Sequence, residues 1–205
     1  PVEEIMRQKN IPEEIRDDLE VVKRNSERLL DLVNQILDFT KAEQEAFSSQ
    51  NTWFDIDDLV EKTVQRFTPA AQQKGIQLTH DTPQPIRICT DREALTKVLS
   101  NLLTNAMKFT KDRILVSLSE NPEAHTVTIS VEDNGTGIKP TEKEKIFNLF
   151  YQSANKPQLP NKGFGIGLAI VSLLVKRMMG KIEVESEENR FTRFRITLPQ
   201  NEIGR

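Results

Sequence analysis

Six residues, Asp133-Asn134-Gly135-Thr136-Gly137-Ile138, combine a carboxylate with two glycines one residue apart. The Asp133 carboxylate can accept hydrogen bonds from an amine or an amino group. Glycine has no Cβ, so Gly135 and Gly137 let the backbone pass against a flat ring or a phosphate. Taken alone, the stretch also suits an Asn-Gly turn between two elements, and its companions decide between the readings. A second set, Asn101, Asn105 and Lys108, recurs at four- and three-residue spacing, which puts two carboxamides and an ammonium on one helical face. Such a face is either plain solvated surface or an offer of oxygen to a hard cation and of positive charge to phosphates. The third set, Gly163-Phe164-Gly165-Ile166-Gly167-Leu168, opens an apolar helix, where backbone N–H groups approach phosphate with the help of the helix dipole. The spacing also suits a hinge. The stretch before it, Ser153 to Lys162, has two prolines and no apolar period, as a mobile lid over a nucleotide requires.

The elements that must position these residues follow from periodicity. Pro1 to Lys9 reads as a short helical piece, and Asn10-Ile11-Pro12-Glu13-Glu14 as a helix start. Ile15, Leu19, Val22, Ser26, Leu29, Val33, Ile36 and Thr40 then form a heptad seam with no Gly or Pro inside it. Leu30, Leu32 and Leu37 widen the stripe toward a helical bundle, which calls for a partner helix, most economically from a second copy of the chain. Ser48-Ser49-Gln50-Asn51 is a polar linker and the expected domain boundary, separating residues 1–47 from residues 51–200.

Beyond the linker, Trp53-Phe54-Asp55-Ile56 is expected as a strand, with Asp57 capping a helix that carries Leu59, Val60, Val64 and Phe67. Gly75 ends that segment, and strands follow around Ile76 to His80 and Ile86 to Cys89. Asp91 caps a helix through Leu95, Val98, Leu99, Leu102 and Leu103, with the leucines toward the core. Two strands around Asn121-Pro122 form a hairpin, a helix is expected near Glu142 to Phe150, and an apolar helix near Gly167 to Met178. Two final strands close an α+β sandwich whose sheet is covered on one face by helices.

Composition sets outer bounds. The 205 residues suit one large domain or two small ones, and 37% hydrophobic content can form a core. A net charge of −3 gives no electrostatic case for nucleic acid or an anionic membrane. The single Cys89 excludes an internal disulfide framework, and no apolar run is long enough to span a bilayer. Because the chain opens with Pro1-Val2, it is expected to be a piece of something longer.

With these residues in view, the sequence resembles the core of a sensor histidine kinase of bacterial two-component systems. Residues Asn101 to Thr110, NLLTNAMKFT, resemble the family's N box, and Asp133 to Gly137 its G1 box. Phe147-Asn148-Leu149-Phe150 resembles the F box, and Gly163 to Leu168 the G2 box. Four boxes in order and spacing are far more specific than any one. Asn34 to Glu43, NQILDFTKAE, resembles the second helix of the family's dimerisation domain. The resemblance implies a helical dimerisation hairpin, mostly its second helix here, followed by an α/β sandwich of the Bergerat ATP-binding type. It implies ATP and Mg2+ as cofactors, a homodimer, and a response regulator or fused receiver domain as partner. It implies a cytoplasmic portion of an inner-membrane sensor, tied to the membrane through upstream segments.

Residue by residue, the resemblance assigns Asp133 to the adenine amino group and Asn105 to the magnesium ion. Asn101 stands close to the ion and the triphosphate, and Lys108 contacts phosphate. Phe109 and Ile138 line the base pocket, Gly165 and Gly167 lie against the phosphates, and Thr192 is near the adenine. Gly135, Gly137, Phe150, Gly163, Ile166 and Leu168 complete the nucleotide site, with Lys156 or Lys162 reaching in from the lid. One departure touches Thr192, since the family usually has Gly where Phe191 stands. The family's acceptor histidine is expected upstream of residue 1, and His80 and His125 read as surface residues.

Other classes compete. ATPases of the same superfamily use a glutamate in the N box to activate water, and here that position is Asn101, which cannot act as general base. A non-catalytic nucleotide-binding or dimerisation module is the remaining alternative, and binding of Mg-ATP discriminates it.

Overall fold

The computed structural model describes residues 5, 12–44, 51–82, 85–153 and 163–200. The chain divides into two compact units, residues 1–41 and 42–205. The first holds most of one long helix, α1 (Glu13–Gln44). Its heptad stripe is open to solvent within one chain, with Ile15, Val22, Leu29, Val33 and Ile36 all exposed. The expected helical piece at Pro1 to Lys9 lies outside the described residues apart from Ile5, which is helical. The linker residues 48–50 lie outside them as well.

The second unit runs β1 (Asn51–Asp55), α2 (Ile56–Gln73), β2 (Gln77–Asp81), β3 (Arg87–Asp91) and α3 (Arg92–Phe109). It continues with β4 (Arg113–Asn121), β5 (Thr126–Asp133), α4 (Gly167–Arg177), β6 (Lys181–Glu187) and β7 (Phe191–Pro199). Five strands form one sheet in the order β2-β4-β5-β7-β6, antiparallel except for the β2–β4 pair, and β1 pairs with β3 in a separate two-stranded ribbon. Strict alternation explains the sheet's two faces. Ile114, Val116 and Leu118 of β4, Val127, Ile129 and Val131 of β5, and Phe194, Ile196 and Leu198 of β7 are buried under the helices. The opposite face carries charge, with Arg193 paired to Glu132 and Glu185, and Arg195 to Glu185.

Helix α3 is the central support. Leu95, Val98, Leu99, Leu102 and Leu103 are each at most 1% exposed, as their spacing predicts. Each such burial contributes about 1.5–3 kcal/mol, so this one face outweighs any single polar contact of the helix. Asp91 caps it as expected, accepting from Ala94 N at 2.9 Å.

Two local expectations fail. Residues 140–147 form two short 3-10 turns, Pro140–Glu142 and Lys145–Phe147, in place of the expected helix. None of their residues is buried, so no apolar face exists to stabilise a longer helix. At α2 the N-cap position belongs to Asp55, and Asp57 sits in the first turn, where its carboxylate accepts from Ile86 N.

Candidate functional site

Asp133 ends β5 on the core-facing row, where alternation would place another apolar side chain. A carboxylate there is 5% exposed and needs partners. One comes from the next turn, as Gly135 N donates to Asp133 Oδ1 at 2.9 Å. Across the sheet, Asp133 pairs in register with Thr192 of β7, also 5% exposed, and Thr192 with Ser186 of β6. Thr192 therefore stands beside Asp133 despite Phe191, whose ring lies under the Arg193 guanidinium at 5.6 Å.

The loop after Asp133 is held by contacts that leave no room for larger side chains. A Cβ built on Gly135 would stand 1.9 Å from the Phe109 carbonyl oxygen, which also accepts from Thr136 N at 3.2 Å. Gly137 has φ +66°, and a Cβ there would meet the Glu187 carbonyl at 2.2 Å. Ile138, 9% exposed, donates its N–H to Ser186 Oγ at 2.9 Å. Asn134 fastens the loop to the α3–β4 turn: its Oδ1 accepts from Thr110 Oγ1 and from the N–H groups of Asp112 and Arg113, and its Nδ2 donates to Asp112. The close approach that these glycines permit is to the protein's own backbone, at the Phe109 and Glu187 carbonyls.

On α3, Asn101, Asn105 and Lys108 are half-buried along one face. Asn101 Nδ2 donates back to Lys97 O at 2.9 Å, which leaves its oxygen turned toward α4. A Cβ on Gly167 would stand 2.8 Å from Asn101 Oδ1, and one on Gly163 would stand 3.4 Å from Lys108 Nζ. The second and third sequence sets thus meet. Lys108 also lies over the Phe109 ring at 5.2 Å. Asn105 spends its carboxamide on no hydrogen bond among the described residues.

Helix α4 begins at Gly167 behind Ile166, which supplies no side-chain cap, so its first N–H groups keep their donor capacity. Ile166 is fully buried and anchors that end, with Leu168 half-buried next to it. Gly165 has φ +75°, and a Cβ there would stand 2.6 Å from the Tyr151 carbonyl. Its own carbonyl accepts from Phe150 N at 2.9 Å, and Phe150 is itself at φ +63° with a 58% exposed side chain. Phe150 thus joins the glycine loop through its backbone. Nearby, Glu142 accepts from Tyr151 and Ser153, and desolvation followed by that carboxylate holds the Tyr151 phenol above its ordinary pKa. Lys156 and Lys162 lie outside the described residues, as does most of the expected lid.

This arrangement sets a buried carboxylate and hydroxyl, Asp133 and Thr192, in one place, and carboxamide, ammonium and helix N-terminus in another. It suits a ligand with an amino-bearing ring and a chain of phosphates. The family model described as histidine kinase-, DNA gyrase B- and HSP90-like ATPase matches residues 90–202. The chain belongs to this family. Its relatives include the sensor protein GacS of Pseudomonas syringae pv. syringae, 33% identical over 190 residues, covering 89% of this chain and 21% of the relative. The sensor histidine kinase YcbM of Bacillus subtilis strain 168 is 30% identical over 199 residues, covering 96% of this chain and 64% of the relative. Among solved structures, full-length ShkA in complex with AMPPNP matches with a TM-score of 0.82 at 29% identity, covering 96% of this chain and 41% of that one.

The match over residues 90–202 and the likeness to ShkA identify an ATP-binding domain of the histidine kinase type, with the α+β Bergerat fold. The chain spans less than two thirds of the length of either relative. Three contributors escaped sequence reasoning: Ser186, Asn134 as a fastener, and Glu142. Ser186 occupies an ordinary alternating strand position, and its partners are set by sheet register.

Proposed function

We propose that this chain binds Mg-ATP and presents its γ-phosphoryl group to a histidine, from which the phosphoryl passes to an aspartate of a response regulator or fused receiver domain. The observation that carries the reading is the meeting of Gly167 with Asn101, which brings the uncapped end of α4 to the polar face of α3. In this reading Asp133 accepts from the adenine amino group, with Thr192 beside it, and Phe109 and Ile138 flank the ring. Lys108 and the first N–H groups of α4 hold the phosphates. Gly163, Gly165 and Gly167 allow their backbone to come close.

Magnesium fits the donors present. Among the described residues no three His, Cys, Asp or Glu side chains cluster, so the ion would rest on phosphate oxygens with the Asn105 carboxamide as its protein ligand. The ion supplies charge neutralisation along the triphosphate. The chain's own residues position the phosphates, and positioning with charge stabilisation provides most of the rate in phosphoryl transfer. Asn101 cannot take a proton from water, which disfavours a hydrolase.

The nucleophile is a histidine that neither histidine here replaces. His80 is exposed on β2 and His125 is exposed in the β4–β5 turn, so neither lies on the helical segment. The open stripe of α1 supports a homodimer through that segment, with the acceptor carried on a partner helix of the same bundle. No described helix is long and apolar enough to cross a membrane, and a cytoplasmic portion of an inner-membrane sensor is the reading the sensor relatives favour.

The test is calorimetric titration with a non-hydrolysable ATP analogue, with and without magnesium. Magnesium-dependent binding is expected. Absence of binding would leave a non-catalytic dimerisation module as the reading.

A further inference from the structure

Glu142 stands on a segment pinned to the sheet on both sides. Before it, buried Ile138 donates its N–H to Ser186 Oγ of β6 at 2.9 Å. After it, the Phe147 ring meets Phe194 of β7 edge to face, with centroids 6.3 Å apart. One carboxylate oxygen of Glu142, Oε1, accepts from Tyr151 Oη at 3.2 Å and from Ser153 Oγ at 2.7 Å. Gln152, between those two, takes a different partner and donates from Nε2 to Gly163 O at 2.8 Å. Phe150 N donates to Gly165 O at 2.9 Å. Residues 150–153 therefore bond to the glycine turn and to Glu142 at once. Both residues of the Phe150–Gly165 bond have positive φ, +63° and +75°. A phenylalanine keeps such a conformation only where its surroundings fix it, and the Glu142 clasp begins at the next residue.

We propose that Glu142 is a positioning residue for the phosphate end of the site: by clasping Tyr151 and Ser153, it fixes the stretch that holds Gly163 beside Lys108 and Gly165 ahead of α4. This rests on the nucleotide-binding reading above. A Cβ on Gly163 would stand 3.4 Å from Lys108 Nζ. Gly165 is followed by fully buried Ile166 and then by Gly167, where α4 begins. Donors that must meet phosphate oxygens lose much of their bond when the turn carrying them shifts by a fraction of an ångström. Asp133 and Thr192 are set by the register of β5 with β7 instead. Loss of the clasp therefore acts on the phosphates and spares the base. Both hydroxyls use one oxygen of Glu142, so a carboxamide oxygen with two lone pairs serves as well as the carboxylate. Glu142 need not touch the ligand; it acts through residues 150–153.

The experiment measures dissociation constants of ADP with magnesium and of adenosine, which shares the base and lacks the phosphates. Both are read from amide chemical shifts of the full 205-residue chain, which register millimolar binding. The unaltered chain is expected to prefer ADP. Glu142→Ala is expected to narrow the ADP/adenosine preference by about three- to tenfold, and Glu142→Gln, which keeps the accepting oxygen, to retain it. Tyr151→Phe together with Ser153→Ala should narrow the preference as well, and adding Glu142→Ala to that pair should change it no further. Equal weakening of both ligands in Glu142→Ala, as a general loosening of the fold would give, overturns the proposal. So does a preference that widens in both Glu142→Ala and Glu142→Gln, as removal of a negative charge near phosphate alone would give. If Glu142→Ala does not fold, an unchanged preference in Tyr151→Phe with Ser153→Ala overturns it. An unaltered chain that binds neither ligand overturns the nucleotide reading together with this inference. Tight ADP binding with unshifted preferences overturns this inference alone.

Discussion

Arg177 Nη2 lies 2.5 Å from Asp91 Oδ2, joining the last turn of α4 to the N-cap of α3. The two side chains are 10% and 8% exposed, and the other Asp91 oxygen caps Ala94 N. One carboxylate thus caps one helix and ties it to the other, while Asn101 and Gly167 meet farther along the same pair. Asp91→Ala removes the cap and the buried acceptor together and is expected to cost about 3–5 kcal/mol. Arg177→Met is expected to cost less, because Asp91 keeps its cap. Urea denaturation of both variants checks this, and a loss below about 1 kcal/mol for Asp91→Ala would contradict it.

Gly135 and Gly75 separate crowding from backbone strain. A Cβ at Gly135 would stand 1.9 Å from backbone that cannot retreat without breaking the Thr136 bond to the Phe109 carbonyl. Gly75 has φ +68° and open space around it. Gly75→Ala is expected to cost about 1–2 kcal/mol of stability and to leave nucleotide affinity alone. Gly135→Ala is expected to lose affinity as well, because the loop bearing Ile138 must move. Equal affinities in the two variants would show that this loop does not shape the pocket.

Asn105→Ala and Asp133→Ala address the two ends of the site. Each is expected to weaken binding of a non-hydrolysable ATP analogue by about 1–3 kcal/mol, the usual cost of leaving a polar ligand group unpaired. Asn105→Ala should also blunt the response to magnesium, and Asp133→Ala should not. Calorimetric titrations at several magnesium concentrations distinguish them. Unaltered affinity in both would mean that the pocket lies elsewhere.

Incubated with γ-labelled ATP, the 205-residue chain is expected to remain unlabelled and to hydrolyse ATP slowly. Adding a polypeptide with a complete helical hairpin and its histidine should yield an acid-labile, base-stable phosphoryl group on that partner. Strong labelling of the bare chain, or rapid hydrolysis abolished by Asn101→Ala, would point to a serine kinase or a hydrolase.

The α1 stripe is expected to drive self-association that strengthens with concentration in sedimentation experiments. Leu29→Glu together with Val33→Glu should abolish it, since two charges cannot be buried in a bundle seam. A strict monomer at high concentration before any substitution would remove the basis for the homodimer.

The long helix, the leucine face of α3, the Asp91 cap and the alternating strands could all be read from the chain, because each follows from a period or a cap within a few residues. The four boxes were legible for a similar reason, as each is a short run of residue types at set spacing. The Glu142 to Phe150 stretch misled, because a helix of that length needs a buried face that no nearby residue announces. Sequence proximity also could not put Thr192 beside Asp133, bring the Ser186 and Thr192 hydroxyls together, or set Gly167 against Asn101. These pairs are far apart along the chain, and sheet register and the crossing of α3 with α4 bring them together. Local periodicity determined which faces are buried. The register of β5, β6 and β7 decided which hydroxyl and which carboxylate stand side by side on the buried face, because a shift of one residue would have turned each of them to the charged side of the sheet.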